Sequence, residues 1–322
     1  MTVEHIPSLS MVIPCHNEQD VIASSCERLQ GLIARWPAGL VSDVEYVLVN
    51  NGSTDRTLDV MREYQKTHPE VVIVDLGANY GYQGSITAGL HHARHDMVVT
   101  IDADLQDDPE KIQDMIQKYK QGYELVLGVR EDRSSDSWFK RLTAGCYYGL
   151  LRRMGVQTVA HHGDFRLMSR RLVNEYKKLP ERHRYIRSLV LELESRYATV
   201  SYKRTPRRAG RTKFNLMSLV VLAIDGITSF TSFPIRLVTF SGLIMFFFSI
   251  VMVFYVLYIK FIALRGVPGW AFLAMLFLFF GGLQSLSLGI IGEYIAKMYI
   301  ETKRRPVFTV RRIYRAGSAS DQ

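Results

Sequence analysis

The run LVTFSGLIMFFFSIVMVFYVLYI, Leu237 to Ile259, contains 23 residues and no charge. It is rich in Phe, Ile and Val all round, so a helix built from it has no polar face to turn toward water. Its length suits a bilayer core of ~30 Å, which needs about 20 apolar residues. A pair of buried core helices is the alternative, and the lack of a polar face argues against it. A second apolar run follows, 271–295, after the short loop KFIALRGVPGW. Two spans make a transmembrane hairpin over 236–298, with both ends of the chain on one side. The loop carries Lys260 and Arg265; the other side carries Arg236, Lys297, Lys303, Arg304, Arg305, Arg311, Arg312 and Arg315. The positive-inside rule puts that side in the cytoplasm. The expectation is therefore a multi-pass protein of a bacterial inner membrane, with residues 1–210 as a cytoplasmic domain and 299–322 as a basic cytoplasmic tail.

Segment 211–235 is apolar with polar interruptions, and Lys203, Arg204, Arg207, Arg208, Arg211 and Lys213 lie before or at its start. This pattern predicts interfacial helices with cations toward anionic headgroups or a lipid phosphate; a solvated basic linker is the alternative. The net charge of +9 and the mean hydropathy of +0.01 reflect this half of the chain. Cys15, Cys26 and Cys146 are widely spaced and form no CxxC pair, which argues against a zinc ribbon and a disulfide framework and fits a reducing compartment. The first residues, MTVEHIPSLS, show no basic segment leading into an apolar one, so no secretory signal is expected.

The first two-thirds reads differently. LSMVIPC, VEYVLVN, VVIVDL, MVVTID and YELVLGVR are short apolar runs separated by helical patterns. Such alternation predicts an α/β fold with a mostly parallel central sheet. Ligands of such sheets bind beyond the carboxyl ends of the strands. The polar clusters fall at those ends: Asn17 and Glu18, Asn50 to Asp55, Asn79 to Gln83, Asp102 to Gln106, and Arg130.

The fourth run ends in Asp102, Ala103, Asp104, with Asp107 and Asp108 close behind. Carboxylates so crowded repel unless a cation lies between them. Two of them at i and i+2, offering only oxygen, suit Mg²⁺ or Mn²⁺ shared with substrate phosphates. Asp107 and Asp108 precede Pro109 and a helical pattern, and are read as residues capping that helix.

Other motifs exclude other chemistries. NYGYQGSITAG lacks the G-x-G-x-x-G spacing of dinucleotide folds, and no GxxxxGK[ST] phosphate loop occurs. His91 and His95 have i, i+4 spacing and are read as one solvated helix face, since no third metal ligand is evident. His161 and His162 precede Gly163 and Asp164 and are assigned a structural part. Nothing points to nucleic acid.

The set VIPCHNE, NNGSTD, DADLQDDP, GDFRLMSRR and RRAGRTKF resembles the family 2 glycosyltransferases of GT-A fold, in the polyprenyl-phosphate branch that includes dolichol-phosphate mannose synthases. The stretches KLPER, DGITSFTSFPIRL and LGIIGEYIAKMYIETKRRP resemble the bacterial and phage bactoprenol glucosyltransferases, and the resemblance covers nearly the whole chain. It implies a UDP-sugar donor, with glucose as the sugar, and undecaprenyl phosphate in a lipid bilayer as acceptor. It implies that Pro14, Asn17 and Glu18 line the nucleotide pocket, with Asn51 and Ser53 beside them. Asp102 and Asp104 would hold the diphosphate through the cation, with Gln106 completing that site. Arg130, Arg141, Arg207 and Lys213 would bind the lipid phosphate or the donor diphosphate. Asp164 would stand near the anomeric carbon, making Asp164, Asp104 and Arg130 the catalytic set.

The chain departs from the family pattern at Asn50 and Asn51, where an Asp pair is usual. An Asn amide can bond a uracil edge but supplies no charge. The implied reaction inverts the anomeric centre in one displacement. Its alternatives are the same transfer with an aminoarabinose derivative, an N-acetylhexosamine or mannose, or a catalytically weak membrane scaffold. A processive polysaccharide synthase is disfavoured, because QGLIARW lacks the QxxRW spacing of that class. Gly281, Gly282, Ser285 and Ser287 would let spans pack closely, which leaves self-association open.

Overall fold

A computed structural model describes residues 5–131, 159, 162–182, 184–203, 233–262 and 269–316. Arg141, Arg207, Lys213, Cys146 and the interfacial segment 211–232 lie outside the described residues.

The apolar runs form a sheet of eight strands. In chain order they are β1 (Leu9–Cys15), β2 (Val44–Asn50), β3 (Val71–Leu76), β4 (Met97–Thr100), β5 (Leu125–Arg130), β6 (His162–Ser169), β7 (Tyr197–Tyr202) and β8 (Val310–Tyr314). Their spatial order is β7-β5-β6-β4-β1-β2-β3-β8. The centre, β4-β1-β2-β3, is parallel, as are β5 and β7. β6 runs antiparallel to both β4 and β5, and β8 runs antiparallel to β3 at the edge. The GT-A α/β architecture is thus present.

Helices α1 (Ile22–Ile33), α2 (Thr57–Gln65), α3 (Gly81–His92), α4 (Lys111–Lys120), α5 (Arg170–Lys178) and α6 (Ile186–Leu193) complete this unit. Its two apolar layers lie on opposite faces of the sheet, as strands covered on both sides require. Alternate residues of one strand supply the two layers: Met11 and Ile13 of β1 go to one, Val12 to the other. Helix α3 approaches closely because Gly89 has no side chain; a Cβ there would lie 2.2 Å from Val12 Cγ1.

Three expectations are corrected. The stretch HGDFRLMS forms β6, a strand that the parallel reading did not contain. Helix α3 ends at His92, so His91 and His95 do not share a helix face; His91 bonds the Thr87 carbonyl, and His95 lies 3.6 Å from Asp43. The basic segment 299–322 is not wholly a tail, because Val310–Tyr314 adds β8 to the sheet.

Helices α7 (Phe233–Phe261, 29 residues) and α8 (Trp270–Thr302, 33 residues) belong to a second compact unit, whereas the chain from Arg305 onward belongs with the sheet. Large apolar side chains are exposed along both helices, among them Phe240, Phe247, Phe254, Phe277 and Phe279. Among the described residues, no helix is long and apolar enough to cross a membrane.

Candidate active site at the carboxyl ends of the central strands

The carboxyl ends of β1 and β2 are stitched together. Asn17, in a left-handed backbone conformation with φ 57°, accepts from the Thr54 N–H at 2.8 Å through Oδ1. Its own N–H donates to Ser53 Oγ at 3.1 Å, and the Glu18 N–H donates to Thr57 Oγ1 at 2.8 Å. Pro14 pairs with Val49 in the same sheet. Pro14, Asn17, Glu18 and Ser53 are therefore brought together, as expected of one pocket.

Asn51 is brought there too, but its side chain faces inward. Its amide donates to Asn79 Oδ1 at 3.2 Å and to the Gly81 carbonyl at 3.1 Å, while its Oδ1 accepts from the Tyr80 N–H at 2.9 Å. These bonds organise the entry to α3. Both polar atoms of this buried side chain thus have partners within the protein.

Asp102 and Asp104 follow β4 in a tight turn. The Leu105 N–H bonds the Asp102 carbonyl at 3.1 Å, and the Gln106 N–H donates to Asp104 Oδ1 at 3.2 Å. Ser25 of α1 pins the turn by donating to the Ala103 carbonyl at 2.6 Å. Tyr82 of α3 donates its hydroxyl to Asp102 Oδ1 at 2.7 Å. Burial raises the Asp102 carboxyl to about 6, opposed by the Tyr82 bond and reinforced by the charges of Asp107, Asp164 and Asp104. Gln106 is buried in the same turn, and its Nε2 has no partner among the described residues.

Asp107 is not a helix cap. It is buried, and its Oδ1 accepts from the Tyr202 hydroxyl at 2.7 Å and from Arg130 at 3.4 Å. Arg130 also donates to the Tyr202 oxygen at 3.1 Å, so it is built into this cluster beside the Asp102 turn. Asp108 does serve the helix start, accepting from the Glu110 N–H at 3.1 Å.

Asp164 reaches the site through strand register. In the β4–β6 pair, Thr100 faces Arg166 and Met97 faces Ser169, so partner numbers sum to 266. Just past that ladder Thr100 Oγ1 donates to the Asp164 carbonyl, and the Asp164 charge is felt at Asp102. The Asp164 carboxylate is held by two arginines. Arg166, on the same face of β6 two residues on, donates to Oδ1 at 2.7 Å. Arg187, in the first turn of α6, donates through Nε at 3.1 and 3.2 Å to the two oxygens and through Nη2 to Oδ2 at 2.5 Å. Burial pushes the Asp164 carboxyl up, but the Arg187 bonds and the two guanidinium charges outweigh it and hold it below the usual range.

Arg166, Arg187, Tyr82 and Tyr202 were absent from the sequence-derived set. Arg166 had a signal, since i+2 spacing from Asp164 in a strand shares a face. The others come from distant segments and had none.

Among the described residues, no three His, Cys, Asp or Glu side chains converge as a metal cage. The donor set is instead a pair of carboxylates on one turn, crowded by further negative charge. That fits a hard divalent cation which takes its remaining oxygens from substrate phosphates.

The sequence signature described as "Glycosyl transferase family 2" matches residues 10–177. "Uncharacterized glycosyltransferase YkcC" of Bacillus subtilis (strain 168) is 39% identical over 306 residues, covering 95% of this chain and 94% of that protein. "Bactoprenol glucosyl transferase" of Shigella phage SfV is 36% identical, covering 94% and 98%. The "Prophage bactoprenol glucosyl transferase homolog" of Escherichia coli (strain K12) is 35% identical, covering 95% and 99%. Among solved structures, the glucosyl-3-phosphoglycerate synthase of Mycobacterium tuberculosis with Mn²⁺ and UDP superposes with a TM-score of 0.47 at 19% identity, covering 67% and 75%. The chain belongs to glycosyl transferase family 2 and is a glycosyltransferase.

Proposed function

We propose that the protein transfers a glucosyl residue from UDP-glucose to undecaprenyl phosphate at the cytoplasmic face of a bacterial inner membrane. The observation that carries this reading is the meeting of the Asp102–Asp104 turn with Asp164 and its arginines at one end of the sheet. Relatives of nearly equal length named bactoprenol glucosyl transferases support the choice of sugar and acceptor.

Asp102 and Asp104 would hold Mg²⁺ or Mn²⁺ against the donor diphosphate, which neutralises the charge that builds on departing UDP. Asn17, Glu18 and Ser53 would frame the nucleotide. The acceptor phosphate oxygen attacks the anomeric carbon as the bond to UDP breaks, and the electron pair leaves with UDP. The centre inverts. A phosphate monoester is already largely dianionic at neutral pH, with a second pKa near ~6, so no base is required. Asp164 suits that chemistry: both its oxygens are engaged by arginines, so it orients charge rather than accepting a proton. Arg130, Arg141, Arg207 and Lys213 remain the proposed phosphate ligands of the acceptor side.

The membrane part of the reading rests on α7 and α8. At ~1.5 Å per residue they reach roughly 43 and 50 Å, and the uncharged run 237–259 supports reading them as spans. Strand β7 precedes them and β8 follows them in one sheet, which is compatible with a hairpin. The cationic flanks support a cytoplasmic location for the ends of the chain, by the positive-inside rule.

The test is transfer by detergent-purified protein given undecaprenyl phosphate, Mn²⁺ or Mg²⁺, and in turn UDP-glucose, UDP-galactose, UDP-N-acetylglucosamine and GDP-mannose. UDP release that needs both lipid and metal, with UDP-glucose as donor, is expected. Asp102→Asn should lower it by roughly 10²–10³-fold. Release with another donor alone would replace the sugar. Release without lipid would overturn the acceptor.

A further inference from the structure

One carboxylate, Asp164, is paired with two guanidinium groups, and the two differ in kind. Arg166 is fully buried, at 0% exposure. It is anchored by Nη2 to the Gly163 carbonyl at 3.1 Å as well as to Asp164. Its charge alone balances Asp164. Arg187 is 35% exposed along its side chain and forks onto the same carboxylate. The fork is the geometry with which arginine also grips a phosphate. The Asp164 carboxylate is close enough to the Asp102 turn that its charge acts on Asp102 and on Tyr82.

We infer that Arg187 is a phosphate-binding residue which Asp164 occupies until substrate arrives. A phosphoryl oxyanion displaces the carboxylate from Arg187, and Arg166 keeps Asp164 in place once Arg187 has gone. Asp164 is thereby opened toward the reacting sugar only when the phosphate is bound. No bond is made or broken in the exchange; one ion pair replaces another. The oxyanion belongs either to the donor diphosphate or to the acceptor monophosphate. This inference rests on the glycosyl-transfer reading above.

Because Asp164 and the phosphate compete for Arg187, removing the carboxylate should strengthen phosphate binding. A residue that merely positions Asp164 would show no such gain. The experiment measures binding of two probes, UDP with Mn²⁺ and undecaprenyl phosphate in detergent micelles, to the full-length protein and to Asp164→Asn, Arg187→Gln and Arg187→Lys. Asp164→Asn is expected to bind one probe about 10-fold more tightly while losing transfer activity, and Arg187→Gln to bind that probe at least ~10-fold more weakly. Arg187→Lys, which keeps the charge without the fork, should fall between. The probe that responds identifies the source of the oxyanion. If Arg187→Gln does not fold, Asp164→Asn and Arg187→Lys decide alone. Unchanged or weaker binding of both probes by Asp164→Asn, with wild type binding both, overturns the inference and leaves the glycosyl-transfer reading standing. Wild-type protein that binds neither probe overturns both.

Discussion

Asn50 donates its side-chain amide to Asp75 Oδ1 at 2.7 Å, and both residues are buried at the ends of adjacent strands. The amide is needed because its partner is already a carboxylate. Asn50, where the family resemblance led one to expect Asp, also accepts from the Ser53 N–H at 3.3 Å, so both ends of its amide are engaged.

Restoring the usual residue should therefore do harm. Asn50→Asp would set two carboxylates in contact and remove the N–H that Asp75 accepts. We expect a loss of about 2–3 kcal/mol at neutral pH, partly recovered in acid where one carboxyl can take a proton. Thermal melting at pH 7 and pH 5 checks this. Unchanged stability at both would mean that Asp75 has another means of compensation.

Gly52 closes the loop that follows β2. Its φ is +61°, and a Cβ there would lie 2.5 Å from the Ala78 carbonyl carbon and 2.6 Å from the Asn79 nitrogen. Backbone atoms cannot swing aside as a side chain can. Gly52→Ala should cost about 2–4 kcal/mol and displace the Asn79–Gly81 loop that Asn51 organises. Urea unfolding measures the first effect, and weakened UDP binding in the folded fraction reports the second.

Asp102 is held at a cost to stability. Its carboxyl is raised to about 6, against an ordinary 3.8, by burial and three neighbouring carboxylates. Asp102→Asn keeps an oxygen for the Tyr82 hydroxyl and removes the charge. The variant should melt higher than wild type at pH 7.5, by about 1–2 kcal/mol, while losing metal-dependent UDP binding. A lower melting temperature would show that this carboxylate is stabilising as it stands.

His162 sets an acid limit. Burial and the nearby Arg166 charge lower its imidazole from 6.5 to about 4, with its bond to the Val159 carbonyl opposing them. The folded protein then holds this proton more weakly than the unfolded chain. Stability is intact above pH 6.5 and is lost as pH falls toward 4. The fall from 6.5 to about 4 caps the loss at about 3 kcal/mol. Denaturant unfolding of wild type and His162→Gln at pH 7 and pH 4.5 should show the gap between them closing in acid. A gap independent of pH would remove His162 from the account.

The α/β alternation, the strand ends that carry polar residues and the Asp102–Asp104 pair were all legible from local pattern. So were the two long apolar helices, which announce themselves by composition. Each of these depends on residues near one another in the chain, where periodicity and turn chemistry act. The sequence by itself also placed the chain in its family through long, specific motifs.

Tertiary structure decided what the polar residues do with one another. Asp107 is a capping residue by local pattern, yet Tyr202, 95 residues away, claims its carboxylate. Asn51 is a nucleotide-pocket candidate by position, and Asn79, Tyr80 and Gly81 engage both its amide nitrogen and its oxygen. Segment 310–314 is part of a basic tail by charge, yet it pairs with β3 because that edge has open backbone groups to satisfy. Asp164 meets Asp102 only through the antiparallel insertion of β6, and Arg187 meets Asp164 only through the packing of α6. The physical reason is common to all five. A buried charge or amide must find a partner of matching capacity, and which partner is in reach depends on strand register and helix packing across distant parts of the chain.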